Sequence, residues 1–109
     1  MATSPKVLGQ LNPAASILTT LYTTPGATKT TVSTIFVCNT GTTVAKFRIS
    51  VAIAAAADAI SQYLYRDETL APNRTFAVTA GITLGTTDII RVRADTADVV
   101  FHAYGVEFN

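Results

Sequence analysis

The chain is predicted to be all-β: a single-domain antiparallel β-sandwich, jelly-roll or immunoglobulin-like, with about eight strands. Three observations carry this. About one residue in six is threonine, set among Val, Ile, Phe and Tyr, and such side chains pack well on a half-buried pleated surface. Short apolar runs stop at turn residues roughly every 8 to 12 positions, the rhythm of a sandwich or barrel. Over residues 45–53, apolar Ala45, Phe47, Ile49, Val51 and Ile53 alternate with Lys46, Arg48 and Ser50, the period of a sheet with one wet face. Eight strands in one domain require two packed sheets, because a single sheet leaves an apolar face bare.

Residues 1–15 hold Pro5, Gly9, Asn12 and Pro13 without periodicity. They predict an extended N-terminal arm, loose by itself and suited to clasping a neighbour. The sandwich domain is expected over 16–109. Its first strand, 16–23, stops at Thr24-Pro25-Gly26, a turn signal. The next, 30–39, carries Ile35-Phe36-Val37-Cys38, apolar on both faces, which places it centrally. Asn39-Thr40-Gly41 turns the chain into the alternating strand over 45–53.

Residues 52–60 are ambiguous. Ala54-Ala55-Ala56-Ala57 favours helix by propensity, but so short a helix is marginal alone. The end of a strand and then a loop or single helical turn near Asp58 is expected. Strands follow over 62–66, 75–80 and 82–84, the last two separated by Gly81. After the turn Gly85-Thr86-Thr87-Asp88, residues 89–94 alternate Ile90 and Val92 with Arg91 and Arg93. The turn 95–98 leads to a last strand over 99–108. No internal repeat is evident.

The chain has 109 residues, 49% of them apolar and only 14% charged, with a net charge of +1. That is enough chain for one core without staples. A typical soluble domain carries about a quarter charged residues, so the shortage of charge points to surface hidden in an assembly. Lys and Arg are scattered along the sequence, without the basic stripe that nucleic-acid binding requires. The longest apolar stretch, 51–57, is too short and alanine-rich to span a bilayer, and no signal peptide pattern opens the chain. Neither nucleic acid nor membrane is an expected partner.

Cys38 is the one cysteine and His102 the one histidine. Cys38 reads as a small buried hydrophobe within a strand, with an intermolecular disulfide as the alternative. A Cys38–His102 catalytic pair is disfavoured, since neither residue sits in a sharp turn or at a helix start that would activate a nucleophile. One His and one Cys cannot build a zinc cage. Asp95 and Asp98 share a turn but lack the ligand run of a calcium loop, and turn aspartates ordinarily bond their own backbone. Adjacent Asp67 and Glu68 point to opposite faces of an extended strand and cannot form a glycosidase pair. Gly81 and Gly85 lack the helix that a phosphate loop feeds. Neither catalytic residues nor cofactors are expected, and the chain is not expected to be an enzyme. The candidate contact residues are Tyr63 and Tyr65, two apart and thus on one strand face, and the outward pair Lys46 and Arg48.

Taken together, the string resembles small β-sandwich structural proteins of tailed bacteriophages. The likeness covers nearly the whole chain. It lies in Leu8-Gly9-Gln10 with Pro13, Leu21-Tyr22-Thr23-Thr24-Pro25, Val37-Cys38-Asn39-Thr40-Gly41, Phe47-Arg48-Ile49 and Gln62-Tyr63-Leu64. It continues in Pro72-Asn73-Arg74-Thr75-Phe76, Gly81-Ile82-Thr83-Leu84 with Asp88, and Gly105-Val106-Glu107. The resemblance implies a virion component, made in the host cytoplasm, and brings no catalytic residues.

The expectation is therefore a non-enzymatic virion subunit that binds other virion proteins through apolar faces and its N-terminal arm. It would act as capsid cement or decoration, or in the neck, baseplate or a fibre. A homo-oligomer is expected, a trimer favoured. The alternative is a host-surface glycan-binding module of a tail fibre, using Tyr63 and Tyr65. An unpolar excess concentrated in the strands over 30–39 and 99–108 marks these as core or contact surface.

Overall fold

Nine strands make up the sandwich among residues 3–79 and 81–109, which the computed structural model describes. They are β1 (Thr3–Leu11), β2 (Thr19–Thr23), β3 (Lys29–Asn39), β4 (Ala45–Ala52), β5 (Tyr63–Leu70), β6 (Thr75–Val78), β7 (Ile82–Leu84), β8 (Ile89–Ala94) and β9 (Val99–Phe108). The ninth strand is β1. The residues expected as an extended arm are extended, and they are also docked, pairing antiparallel with β9 from Thr3 opposite Phe108 to Leu11 opposite Phe101. Met1 and Ala2 of that arm, and Ala80 at the end of the strand expected over 75–80, lie outside the described residues.

One sheet has the order β1-β9-β3-β6, with β7 also on β3; the other has β2-β8-β4-β5, and every pairing is antiparallel. β6 lies beside residues 35–38 of β3, and β7 beside residues 30–32 on the same edge. They act as one strand interrupted near Gly81, whose φ of 65° suits glycine. Counted so, the pairing nests. The first strand pairs with the last, the second with the next to last, and so inward, as in a long hairpin rolled into two sheets. Of the two sandwich types the sequence allowed, this is the jelly roll.

The core follows from alternation. Val32, Ile35 and Val37 of β3 and Val99, Phe101 and Ala103 of β9 are buried from one sheet. Ala45, Phe47 and Ile49 of β4 and Ile90, Val92 and Ala94 of β8 meet them from the other. Phe47 is the aromatic centre, its ring 5.6 Å from Phe76, 6.2 Å from Tyr65 and 6.3 Å edge-on from Phe101. Each such side chain fully buried contributes roughly 1.5–3 kcal/mol.

Two glycines let backbones approach, one between neighbouring strands of a sheet and one between the sheets. A Cβ on Gly105 would lie 2.2 Å from the Thr31 carbonyl oxygen, and one on Gly9 would lie 2.5 Å from that of Leu21. Gly9 thus seats β1 against β2 at the corner where the sheets meet.

Buried polar groups tie the ends. At one end the Asn39 side chain, 1% exposed, donates to the Thr43 and Leu70 carbonyls and accepts from the Gly41 N–H. At the other, the Tyr22 hydroxyl crosses between sheets. It donates to Glu107 Oε2 at 2.5 Å and lies 2.8 Å from Thr30 Oγ1. Lys6 of β1 pairs with the other Glu107 oxygen at 2.8 Å. Burial, then the bond to Glu107, push the Tyr22 phenol up to about 12. The Lys6 ammonium, then the Tyr22 hydroxyl, hold the Glu107 carboxyl below its ordinary value.

Between β4 and β5 the alanine-rich stretch forms two single turns of 3-10 helix, Ile53–Ala55 and Ile60–Gln62. Ala54 and Ala55 have φ of 53° and 57°, a left-handed conformation costing an L-residue roughly 1–2 kcal/mol. That conformation is held by Ala54 N–H donating to Asp88 Oδ1 and by Arg91 Nη1 donating to the Ala56 carbonyl. The excursion covers the outward side of β4, so Ser50 and Ala52, outward by alternation, are buried.

Gly105→Ala is expected to cost about 1–3 kcal/mol through overpacking, read as a lowered midpoint in chemical denaturation. Gly26→Ala, with nothing near its added Cβ, is expected to change stability by less than about 0.5 kcal/mol. Tyr22→Phe is expected to cost about 1 kcal/mol. The phenol's raised pKa means its contribution is full below pH 10 and is lost as pH rises toward 12. Glu107, lowered, contributes fully above its ordinary 4.5 and loses that contribution as pH falls through its folded value. A stability–pH profile checks both arms, and the alkaline loss is expected to shrink in Tyr22→Phe.

Candidate functional site

The two outer faces of the sandwich differ in chemistry. On the five-stranded sheet, the residues of β3 and β9 that do not enter the core point outward. Phe36 stands opposite His102, Cys38 opposite Val100, and Thr34 opposite Tyr104. β1 extends these rows with Gln10 beside His102 and Val7 beside Tyr104, and β6 with Ala77 beside Phe36 and Thr75 beside Cys38. From the Cys38–Val100 row to the Thr31–Val106 row this face holds no Lys, Arg, Asp or Glu among the described residues. Val7 is 48% and Phe36 39% exposed.

The centre of that face is aromatic and ordered. The Phe36 ring meets Tyr104 edge-on at 5.8 Å, and the His102 and Tyr104 rings stack at 6.1 Å. His102 Nδ1 lies 3.0 Å from the Tyr104 hydroxyl and 3.4 Å from Gln10 Nε2. Cys38, expected to be buried, lies in its strand but is only half-buried, because its position in the alternation turns it to this outer face. It and His102 sit on adjacent rows, yet His102 is engaged by Tyr104 and Gln10, and no hydrogen bond joins it to the thiol. The base–nucleophile contact of covalent catalysis is not formed.

The outer face of the four-stranded sheet is cationic. Lys46 and Arg48 of β4 point outward, as their alternation predicts, and Arg93 of β8 stands directly opposite Arg48, with Arg91 opposite Ser50. Arg48 binds Asp67 of β5 with both ends of its fork, Nε to Oδ1 at 2.8 Å and Nη2 to Oδ2 at 3.1 Å. The Arg48 bond, aided by Arg66 and Arg93, holds the Asp67 carboxyl below its ordinary range.

Tyr63 and Tyr65 do not share a face, contrary to their two-residue spacing. β5 carries bulges opposite β4, so Tyr65 falls opposite core-facing Ile49 while Tyr63 falls opposite outward Ser50. Tyr65 packs on Phe47 and Phe76. Tyr63 lies beneath the guanidiniums of Arg48, 5.9 Å from its centroid, and Arg66, at 5.3 Å, and its hydroxyl donates to Asp58. The structure thus brings Tyr63, Lys46 and Arg48 to one face and sends Tyr65 to the core. Sequence reasoning left out Arg66, Arg91 and Arg93 as members of that face. The alternation of Arg91 and Arg93 was visible, but nothing in the sequence says that β8 lies beside β4.

Asp95, expected to bond its own turn, bonds the main chain of β4 instead, accepting from Lys46 N–H, and no backbone bond to the Asp98 carboxylate is found among the described residues. Asp88 accepts from Gly85 N–H and Ala54 N–H. Among the described residues no three His, Cys, Asp or Glu gather as metal ligands. A cavity of about 360 Å³ lies between Ala27, Thr28, Lys29, Thr86, Phe108 and Asn109, away from His102, Asp67 and Glu68. No helix of the described residues is long and apolar enough to cross a membrane.

No protein-family model matches the chain, and no curated protein matches it. Among solved structures, a pentameric capsid protein isolated from metagenomic phage sequences is similar at 17% identity and a TM-score of 0.40. The match covers 96% of this chain and 59% of that one, so the chain spans less than two thirds of that protein's length.

Replacing Asp67 with Asn leaves Arg48, Arg66 and Arg93 facing one another. It is expected to lower the melting temperature in low-salt buffer, with the loss shrinking as added salt screens the repulsion. The same loss is expected in the parent as acid protonates Asp67, since a lowered pKa places its contribution above the ordinary carboxylate range. Melts across a salt series at neutral and acid pH check both.

Proposed function

We propose that the protein is a non-enzymatic structural subunit of a phage particle that associates with further copies of itself through the outer face of its five-stranded sheet. The observation that carries this is the charge-free, half-exposed surface centred on Phe36, His102 and Tyr104. In a chain so short of charge, contiguous exposed apolar surface marks a contact site, and aromatic residues with few charges are the composition of interface centres.

The sheet edges argue that contact runs through faces rather than through added strands. β1 carries Pro5, Lys6 and a bulge after Val7. β5 carries two bulges and the run Arg66-Asp67-Glu68, β2 has five residues and a bulge, and the β6–β7 edge is broken. Each device discourages edge-to-edge pairing. The phage assignment rests on the sequence resemblance. The jelly roll is compatible with it, being a fold of viral capsid and lectin domains alike, and fold alone does not fix function. Cementing, decoration, neck, baseplate and fibre positions all fit such a subunit, and so does a trimer. The glycan-binding alternative drew on Tyr63 and Tyr65 as a shared platform. With Tyr65 in the core and Tyr63 engaged by Arg48, Arg66 and Asp58, no observation favours it.

Sedimentation velocity over a wide concentration range is expected to show a closed oligomer. Phe36→Lys, which places a charge at the centre of the face, is expected to shift it to monomer by at least about tenfold in dissociation constant while leaving the melting temperature of the monomer nearly unchanged. A protein monomeric at every concentration, and absent from purified particles, overturns the reading.

A further inference from the structure

We infer that the outer face of the four-stranded sheet binds an acidic, extended polypeptide segment of another protein. In a chain of net charge +1, four of five arginines converge on this face, with Lys46 beside them. Arg48 and Arg93 stand directly opposite one another on neighbouring strands, a like-charge placement that costs stability by itself. The nearby carboxylates are already engaged. Asp67 is held by Arg48, Asp58 accepts from Tyr63, and Asp95 accepts from the main chain of Lys46. Among the described residues neither Arg91 nor Arg93 is ion-paired. Arg91 donates to the Ala56 carbonyl, and half-buried Arg93 makes no side-chain hydrogen bond.

The chemistry favours a carboxylate. Planar guanidinium forks recognise carboxylates bidentately, and the Arg48–Asp67 pair displays that geometry on this very face. Arg91 and Arg93 are two residues apart on one strand, hence roughly 6.8 Å from each other along it. An extended peptide laid along β8 with acids at alternate positions offers one carboxylate to each. Exposed Ile53 and Ile60, on the excursion tied down by Arg91, supply apolar footing beside it. No stretch of this chain has acids at alternate positions, so the occupant is a different protein rather than a second copy. A nucleic acid fits less well. The patch is small against the six to ten phosphates a typical binder contacts, and Tyr63 and Tyr65 leave no open ring for base stacking.

The test uses a capped peptide of alternating Glu and Thr, about ten residues long, titrated calorimetrically into the intact chain at low salt and again at about 0.5 M. Saturable binding at low salt is expected, weakened at least about tenfold by the added salt. Arg91→Gln/Arg93→Gln is expected to weaken it at least about tenfold, while Arg74→Gln, in the turn before β6, leaves it unchanged. The double variant loses the Arg91–Ala56 bond along with the repulsion and is expected to melt within a few degrees of the parent. Should it melt earlier, Arg93→Gln alone is read in the same way. Phe36→Lys is expected to leave peptide binding intact, so this inference and the self-association reading fail separately. It is overturned by no saturable binding at low salt, by equal binding to the arginine variants, or by tighter binding of an oligothymidylate or oligogalacturonate of equal charge.

Discussion

The β3–β9 ladder is the element on which the remainder of the fold depends. It runs from Lys29 opposite Phe108 to Asn39 opposite Val99, and it joins the chain's first half to its last strand. Its inward rows are the largest contribution of one sheet to the core. Its outward rows, by the same alternation, become the aromatic, charge-free face. A strand pair apolar on both sides cannot hide both sides within a two-layer sandwich. One side is therefore core, and the other is left at the surface of the isolated chain.

That constraint organises the other layers. β1 completes the sheet on the far side of β9, and Gly9 lets it approach the β2 backbone where a Cβ would collide, while Gly105 does the same between β9 and β3. The sandwich is closed at its ends by buried polar groups rather than by disulfides. Asn39 ties the loop over 40–44 to the end of β5 at one end, and Tyr22, Thr30, Glu107 and Lys6 join the two sheets and β1 at the other. Each is worth little as a net hydrogen bond, but leaving any partner buried and unmet would cost more than the bond gained.

The charge budget of the surface is uneven as a result. The five-stranded sheet shows almost none outward, and the four-stranded sheet concentrates arginine. A net charge near zero thus conceals two surfaces of opposite character, one suited to aromatic packing and one to carboxylates. Bulges decide how side chains are dealt between them. Without the bulges in β5, Tyr63 and Tyr65 would lie on one face. With them, one ring enters the core and the other lies under two guanidiniums.

Composition and period determined the fold class, the two-sheet arrangement and most strand positions, because a residue's preference for a pleated, half-buried surface is local and repeats every two residues. The outward direction of Lys46 and Arg48 was legible for that reason. The docking of β1 was not, since Pro5 and Gly9 hide its period and its partner lies at the other end of the chain. Nor were the jelly-roll order, the bulges, or the meeting of Arg48 with Arg93, each of which depends on which strands lie side by side. Sequence alone thus determined that this chain is a sandwich with apolar surface to spare. Tertiary structure decided where that surface lies and what faces away from it, because pairing between distant strands sets which alternate side chains share a face.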